Sequence, residues 1–134
     1  MQSAEVKIQV QFYDTDSLGI IYYGSYYRFF EVGFLKLLKT IGLAFRDLEN
    51  KGIYLPAVHS SCDYYAPSRA EETLKIKTSV KTLGKVSITF SHEVRNINQG
   101  NKLVALGETK HACVNKEWQV VAIPRMLADK LGTV

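Results

Sequence analysis

The segment from Gly24 to Thr40 constrains the fold most, because its apolar side chains cover most of a helix surface. One set recurs at helical spacing and a second set widens the same face: Phe30, Phe34, Leu37, Leu38 and Ile41, then Phe29, Val32 and Leu35. The charged residues left for the wetter side are Arg28, Glu31, Lys36 and Lys39. Ser25 lies near the predicted start, and Gly42 is placed to cap the end. Such a helix has to be largely enclosed, which a curved sheet wrapped around it would achieve.

Strand patterns flank this helix on both sides. Before it, Val6, Ile8, Val10 and Phe12 alternate with polar residues, as in a half-buried strand. After it, strands are predicted over residues 54–65, 74–80, 86–94, 103–114 and 118–122. A short second helix is predicted over residues 43–52 with Phe45 and Leu48 turned inward, and Pro124 opens a short final helix. One long helix against an antiparallel sheet is an α+β arrangement.

The length of the chain, 134 residues, suits one domain, and we expect a single domain over residues 1–134 without repeats or linkers. Apolar residues make up 46% of the sequence, which is enough for an ordinary core. A sheet covered by a helix on one face leaves its far face, expected to be apolar, and its edges open. Burial by a second copy is the expected solution, so we predict at least a homodimer, with a homotetramer as the alternative.

Charge and cysteine content limit the partners and the compartment. The net charge of +4 is spread along the chain, and the aromatic residues lie in core-like patterns without a glycine-rich RNA-binding signature. We therefore expect a phosphate-bearing small molecule as ligand and no nucleic acid. Cys62 and Cys113 are far apart, and residues 1–4 contain no apolar targeting segment, so a reducing cytoplasm is expected. The apolar runs are too short for a membrane span, which needs roughly 20 residues.

An acidic motif precedes the long helix and offers the best candidate for chemistry. Asp14 and Asp16 are followed by Gly19 and by the aromatic pair Tyr22 and Tyr23. A carboxylate at this position can approach the free N–H groups of a helix N-terminus, where a polarised carbonyl oxygen is stabilised. The alternative is structural, because aspartates before a helix commonly accept hydrogen bonds from turn and cap N–H groups. The glycine and the apolar neighbours favour a functional interpretation for one of the two acids.

These residues also carry a family resemblance that covers essentially the whole chain. The resemblance is to the hot-dog-fold acyl-CoA thioesterases of the 4-hydroxybenzoyl-CoA thioesterase-like group. It rests on the run Asp14-Thr15-Asp16-Ser17-Leu18-Gly19-Ile20-Ile21-Tyr22-Tyr23 with Tyr26, and on the later run Tyr64-Tyr65-Ala66-Pro67-Ser68-Arg69. It implies a hot-dog fold and hydrolysis of an acyl-CoA thioester. It also implies that Asp16 is the catalytic carboxylate and that the backbone N–H of Tyr23 polarises the thioester carbonyl.

Two positions depart from part of that family. Many members of its bacterial short-chain acyl-CoA branch have tyrosine where this chain has Phe12, and histidine where it has Tyr23. The 4-hydroxybenzoyl-CoA branch resembles this chain in having an aromatic residue and no histidine at the second position. Two roles stay open for Asp16: direct attack on the carbonyl carbon, which gives a mixed anhydride, and activation of a water molecule as a base.

The resemblance implies a site at a dimer interface and an acyl-CoA substrate, with no separate cofactor and no metal. Arg69, Lys81 and Lys85 are candidates for binding the phosphates of coenzyme A. Ser60 and Ser87 are candidates for polar contacts with the rest of that molecule. Helix and strand side chains would line the acyl pocket, and the candidates are Tyr26, Phe30 and Val58.

Two other functions stay open at this level. A hot-dog hydratase or dehydratase would need an aspartate and a histidine before the helix, and no histidine precedes His59. A non-catalytic acyl-CoA-binding module would use Asp16 only as a helix cap. A metal centre would need a compact ligand set, which the two cysteines and three histidines do not form at sequence level.

Overall fold

The structure, a computed structural model, describes residues 2–132 as one antiparallel sheet with helices against one face. The strands are β1 (Ser3–Gln9), β2 (Ala57–Tyr64), β3 (Thr73–Leu83), β4 (Ser87–Asn96) and β5 (Lys102–Ala112). The helices are α1 (Ser25–Thr40), α2 (Phe45–Asn50) and α3 (Arg125–Gly132). Short 3₁₀ turns cover Phe12–Asp14 and Ile97–Gln99. The strand order β1-β3-β4-β5-β2 leaves β1 and β2 as edges, and the predicted α+β class is confirmed.

Helix α1 lies across the inner face of the sheet and supplies the centre of the core. Phe29, Leu37 and Leu38 are almost completely buried, as the width of the apolar face predicts. The N-terminal half of α1 packs on β1, β3 and β5, whereas the C-terminal half packs on β3, β4 and the two shorter helices. Gly42 follows the last turn with φ +83°, a left-handed conformation that glycine adopts without strain. The predicted bounds of α1 are therefore correct to within one residue.

Two glycines let the helix and the sheet approach each other closely. A methyl group added at Gly33 of α1 would collide with the hydroxyl of Thr78 on β3. A methyl group added at Gly107 of β5 would collide with the ring of Phe30 from α1. One glycine lies on the helix and the other on the sheet. The helix α1 therefore approaches the inner face closely at two separate points.

A chain of hydrogen bonds crosses the inner face beneath α1. Its first half joins Thr78 Oγ1 to His92 Nδ1 (2.8 Å) and His92 Nε2 to Thr109 Oγ1 (2.8 Å). Its second half joins Thr109 Oγ1 to His111 Nε2 (3.1 Å) and His111 Nδ1 to the Leu55 carbonyl oxygen (2.8 Å). A carbonyl oxygen only accepts, so His111 Nδ1 is the donor to Leu55. Thr109 then donates to His111, His92 donates to Thr109, and Thr78 donates to His92. Both imidazoles are neutral in this arrangement.

The two histidines of this chain are also stacked under the helix. Phe30 stacks on His92 with ring centroids 4.6 Å apart, and Phe34 stacks on His111 at 4.5 Å. Burial, assisted by the neighbouring His111, lowers the pKa of His92 to about 3. Burial also lowers the pKa of His111, partly offset by the Leu55 carbonyl and the charge of Glu31. The neutral state of both rings is therefore part of the folded core.

We expect the free energy of unfolding to fall as the pH is lowered below about 6.5. The unfolded chain binds a proton at each histidine near its ordinary pKa of about 6.5, whereas folded His92 stays neutral down to about 3. The resulting slope is up to about 1.4 kcal/mol per pH unit for His92 alone. Urea unfolding between pH 6.5 and 4.5 measures it, and in His92→Gln, whose amide can still donate and accept, the slope should be smaller. An unchanged slope in that variant would contradict the assignment.

Several sequence expectations fail where an apolar side chain lies on the surface. Phe12 does not continue β1, because the chain turns at Phe12–Asp14, and its ring is 85% exposed. Leu35 and Phe45, both expected to face inward, are exposed as well, although Leu48 of α2 is buried as predicted. Residues 118–122 do not form a strand, since only a single bridge joins Val120 to the chain near the end of β5. Hydrophobic periodicity reports where apolar residues recur and does not report whether the fold covers them.

The far face of the sheet also differs from the expectation. Alternation places charged rather than apolar side chains there, and Lys77 lies between Glu5 of β1 and Glu93 of β4. Lys75, on the same face, lies between two other cationic side chains, Lys7 and Arg95. The far face therefore needs no apolar cover, and an argument for a second copy has to come from the edges of the sheet.

Candidate active site

The segment between β1 and α1 forms a tight loop in front of the helix. Thr15 and Ile21 bridge its two arms, and Gly19 takes φ +78° at its tip. The loop is also held from the side, because the N–H of Ile21 donates to the carbonyl of Ser68 (2.9 Å) in the corner that follows β2. The motif singled out in the sequence is therefore a constrained structure that brings its acids close to the start of α1.

Asp14 is used entirely to hold this loop. Its side chain is almost completely buried, and the Arg28 guanidinium donates to both carboxylate oxygens at 2.7 and 2.8 Å. The N–H of Gln11 donates to Oδ2 (2.9 Å). The backbone carbonyl of Asp14 accepts from the N–H of Tyr22 (2.9 Å) and from the hydroxyl of Ser25 (3.0 Å). Asp14 thus ties the loop to the first turns of α1, which is the structural role considered for one of the two acids.

Asp16 is held differently and keeps an oxygen for chemistry. Its Oδ1 accepts from the N–H of Leu18 (2.9 Å), and its own N–H donates to the carbonyl of Ile20 (2.9 Å). Within residues 2–132 no cation pairs with this carboxylate, in contrast to Asp14. The side chain is half-buried and lines a cavity of about 440 Å³. The carboxylate is therefore fixed in direction yet open to a molecule in the cavity.

The cavity is lined mainly by aromatic and apolar side chains from three segments of the chain. Its wall comprises Asp16, Ile20, Ile21, Tyr23, Tyr26, Tyr64, Tyr65, Ala66 and Pro67. The hydroxyl of Tyr64 donates to the carbonyl of Tyr23 (3.2 Å), which ties the end of β2 to the turn that opens α1. An apolar cavity with a few polar groups is typical of a small-molecule site.

The backbone N–H of Tyr23, just before the start of α1, belongs to a residue that lines the same cavity. Ser25 is the first residue of the helix, so the N–H of Tyr23 precedes the helical ladder. None of the hydrogen bonds in the part of the chain described by the structure uses this N–H. An unpaired donor at the positive end of a helix stabilises negative charge on a nearby oxygen. Asp16 and Tyr23 therefore line the same cavity, and their roles in catalysis stay a prediction.

Two further groups near the cavity stay protonated at neutral pH. Burial, with a smaller contribution from Cys62, raises the pKa of Tyr26 to about 12, so its hydroxyl remains a donor. Burial also raises the pKa of the Cys62 thiol on β2 to about 11. A protonated thiol is a poor nucleophile, which leaves Asp16 as the better candidate for the reacting group.

The candidate coenzyme A residues are widely separated within one chain. Arg69 is exposed beside the loop, with its guanidinium next to Gly19. Lys81, Lys85 and Ser87 lie at the opposite end of β3 and β4, and β3 alone places Lys81 about 26 Å from the end nearest the loop. Lys81 is also paired with Glu108 on β5. Only Arg69 therefore lies near Asp16 in the same chain.

The acyl-pocket candidates are likewise divided. Tyr26 lines the cavity with Asp16, whereas Phe30 and Ser60 line a second cavity of about 200 Å³ further along α1. Val58 is 58% exposed on the edge strand and belongs to neither cavity. Tyr64 and Tyr65 also line the first cavity, whereas the sequence predicts no site role for them beyond their place in the family motif. The sequence signal for their position in the cavity wall is the corner at Pro67, which follows them closely.

Two structural findings concern metals and membranes. Among residues 2–132, no group of three or more histidine, cysteine, aspartate or glutamate side chains could hold a metal ion. His111, which shares a strand face with Cys113, is instead used by the hydrogen bonds to Leu55 and Thr109. No helix in this part of the chain is long and apolar enough to cross a membrane.

Comparison with known proteins identifies the class. Residues 10–131 match the family model described as the Thioesterase-like superfamily, so the chain belongs to that family. The acyl-CoA thioester hydrolase YbgC of Escherichia coli O6:H1 is 26% identical over 108 residues, or 81% of this chain and 79% of YbgC. The crystal structure of DHNA-CoA thioesterase from Staphylococcus aureus is similar with TM-score 0.88 and 25% identity, covering 96% of this chain and 86% of that one.

A structural neighbour matches the branch named in the sequence resemblance. A mutant 4-hydroxybenzoyl-CoA thioesterase complexed with 4-hydroxybenzoyl-CoA gives TM-score 0.89 at 18% identity, covering 98% of this chain and 100% of that one. At this identity the likeness concerns the fold. With the family match it confirms the hot-dog fold, and the chain is an enzyme of the thioester-hydrolysing class.

Proposed function

We propose that this enzyme hydrolyses an acyl-CoA thioester to the free acid and coenzyme A, with Asp16 as the reacting carboxylate. The observation that carries the proposal is the placement of the Asp16 side chain on a cavity beside the unpaired N–H of Tyr23. The names of YbgC, an acyl-CoA thioester hydrolase, and of the staphylococcal DHNA-CoA thioesterase support coenzyme A esters as the substrate class. No cofactor is required, because coenzyme A belongs to the substrate.

The proposed reaction follows from these two groups. The thioester carbonyl oxygen accepts the N–H of Tyr23, so the negative charge that develops there is stabilised at the start of α1. In one route an Asp16 oxygen attacks the carbonyl carbon, the C–S bond breaks, and water then hydrolyses the mixed anhydride. In the other route Asp16 takes a proton from the attacking water. Both routes release coenzyme A as a thiol after its sulfur gains a proton.

Thiol release from a panel of acyl-CoAs tests the proposal. Hydrolysis of at least one ester is the expected result, whereas hydration without free thiol would support a hydratase, and binding without either reaction would support a binding module. A single turnover in H₂¹⁸O separates the two routes. If water hydrolyses the mixed anhydride at the Asp16 carbonyl carbon, the first turnover places ¹⁸O on Asp16 and none in the released acid. A base mechanism places ¹⁸O in the acid and none on Asp16, so label on Asp16 establishes direct attack.

A homodimer formed through β2 is part of this proposal. All of β2 except the half-buried Cys62 is exposed, and its outer edge offers unpaired backbone groups. Pairing with β2 of a second copy would continue the sheet, cover Val58 and enclose the second cavity beside the strand. A solution mass of twice the chain mass is the expected measurement. A monomer at working concentration would contradict it, and a fourfold mass would show a tetramer.

The dimer gives the remaining basic residues a use. Antiparallel pairing of two β2 strands turns the end of one sheet that carries Lys85 and Ser87 towards the Asp16 end of the other. Lys81, Lys85, Ser87 and Ser60 are therefore proposed to contact coenzyme A across the interface, and Arg69 within its own subunit. Two unpaired cysteines fit an enzyme of the cytoplasm, which is the proposed compartment.

A further inference from the structure

Trp118 is the most conspicuous aromatic residue that the proposed reaction leaves unused. Its side chain is 68% exposed, and its backbone has φ +61°, a left-handed conformation that is unfavourable for a bulky residue. The side chain of Asn115 holds the loop in this shape, because its Oδ1 accepts from the N–H groups of Glu117 and Gln119, both at 3.0 Å. A local hydrogen-bond network therefore imposes the strained backbone and sets the position from which the exposed indole projects.

The indole forms one wall of a groove on the helix side of the sheet. Its ring stacks on Tyr54 with centroids 6.2 Å apart. The groove, about 270 Å³, is otherwise lined mostly by apolar side chains, and its full wall is Glu31, Phe34, Phe45, Tyr54, Leu55, Pro56, Ala57, His111 and Trp118. Ala57 is the first residue of β2, so the groove opens at the start of that strand, whereas the Asp16 cavity opens at its end with Tyr64.

The symmetry of the proposed dimer brings these two features together. If two β2 strands pair antiparallel about the centre of the strand, Ala57 of one subunit lies opposite Tyr64 of the other. Paired strands are about 4.8 Å apart, and both openings lie on the helix side of the sheet. The groove of each subunit then continues the Asp16 cavity of its partner. This continuity also accounts for the exposure of Phe45, which would face the interface.

We infer that Trp118, supported by Tyr54, closes the far end of the acyl cavity that belongs to Asp16 of the partner subunit, and so limits the size of the acyl group. The inference rests on the proposed function and on the β2 dimer. It assigns Trp118 to substrate selection and gives it no part in the chemical step. The loop hydrogen bonds hold the backbone of this segment, and the Tyr54 ring supports the indole, so the wall is preorganised to limit size.

Trp118→Ala should change selectivity without removing activity. For large acyl groups, kcat/KM relative to a small acyl group such as acetyl should rise by about tenfold, because the wall is removed. The small-acyl rate should stay within about threefold of the parent. Val120→Ala is the matched control, since Val120 is exposed in the same region but does not line the groove. Solution mass and thermal unfolding establish that both variants remain folded dimers.

Mixed dimers test whether the wall acts across the interface. Co-expression of an Asp16→Asn chain and a Trp118→Ala chain with different tags gives a mixed dimer. The chain with intact Asp16 carries the alanine at position 118, and the other chain carries the intact Trp118. If Trp118 acts in trans, the active site receives an intact indole and has the parent selectivity. The reciprocal dimer combines the parent chain with a chain carrying both changes, and it should have the altered selectivity.

The outcomes separate this inference from the proposed function. A parent enzyme that releases no thiol from any acyl-CoA contradicts the proposed function, and the inference falls with it. A parent that hydrolyses acyl-CoA while Trp118→Ala keeps the same profile contradicts the inference alone. Mixed dimers with the opposite pattern would place Trp118 at the site of its own chain and overturn the arrangement across the interface.

Discussion

Asp16→Asn is expected to lower kcat for thioester hydrolysis by about 10³-fold, whichever role the carboxylate plays. An amide is neither a nucleophile of comparable strength nor a base. The fold should be retained, because the amide oxygen can still accept the N–H of Leu18, the one hydrogen bond that the Asp16 side chain makes within residues 2–132. The change therefore removes chemistry while leaving the loop in place.

Thiol release under single-turnover conditions measures this effect, and substrate binding is measured separately by calorimetry. Asp47→Asn is a matched control, because Asp47 is an exposed aspartate on α2 whose side chain also accepts one backbone N–H, that of Ala44 (2.7 Å). Its activity should match the parent. Hydrolysis by folded Asp16→Asn at the parent rate would exclude Asp16 from the reaction and leave the Tyr23 N–H without a partner group.

The second large effect is expected at the other aspartate. Asp14→Ala should lower the free energy of unfolding by about 3 kcal/mol, in the range found when one member of a buried ion pair is removed. The substitution leaves the N–H of Gln11 without its acceptor and releases Arg28 from the loop. Arg28 is itself partly exposed, so water can solvate it, and this keeps the loss from being larger.

Urea unfolding at neutral pH measures this loss, and a double-mutant cycle with Arg28→Ala apportions it. The two changes should be strongly non-additive, because each removes the same contact. Activity should also fall in Asp14→Ala, since the loop that carries Asp16 loses its tie to α1. A loss of stability below about 1 kcal/mol would mean that the backbone contacts of the loop hold it without the Asp14 carboxylate.

The parts of the fold that were predictable are those in which one face of an element meets the core. The alternation around Ile76 and Phe90 located β3 and β4 to within three residues at each end, and the broad apolar surface located α1 to within one. The misassigned residues, Phe12 and Leu35 among them, are apolar but exposed in one chain. Periodicity reports where apolar residues recur and does not report what covers them.

The candidate site was predictable only in part, for a related reason. Local geometry was enough to place a carboxylate near the N–H groups at the helix start, whereas the choice of Asp16 and of the Tyr23 N–H came from the family resemblance. The far wall of the cavity comes from Tyr64 and Tyr65, and its position depends on the strand order, which no local pattern reveals. Lys81 was associated with the site by its charge alone, and the length of β3 places it elsewhere in the same chain.

The close contacts between helix and sheet at Gly33 and Gly107 affect the position of the Tyr23 N–H at the start of α1. A helix held against the sheet at two separate points cannot slide along its axis or rotate without driving Phe30 or Thr78 into backbone. The height of the Tyr23 N–H above the sheet is consequently set before any ester arrives. In the proposed reaction, little reorganisation energy is then needed when charge develops on the carbonyl oxygen, and two glycines remote from Asp16 set the spacing responsible for this.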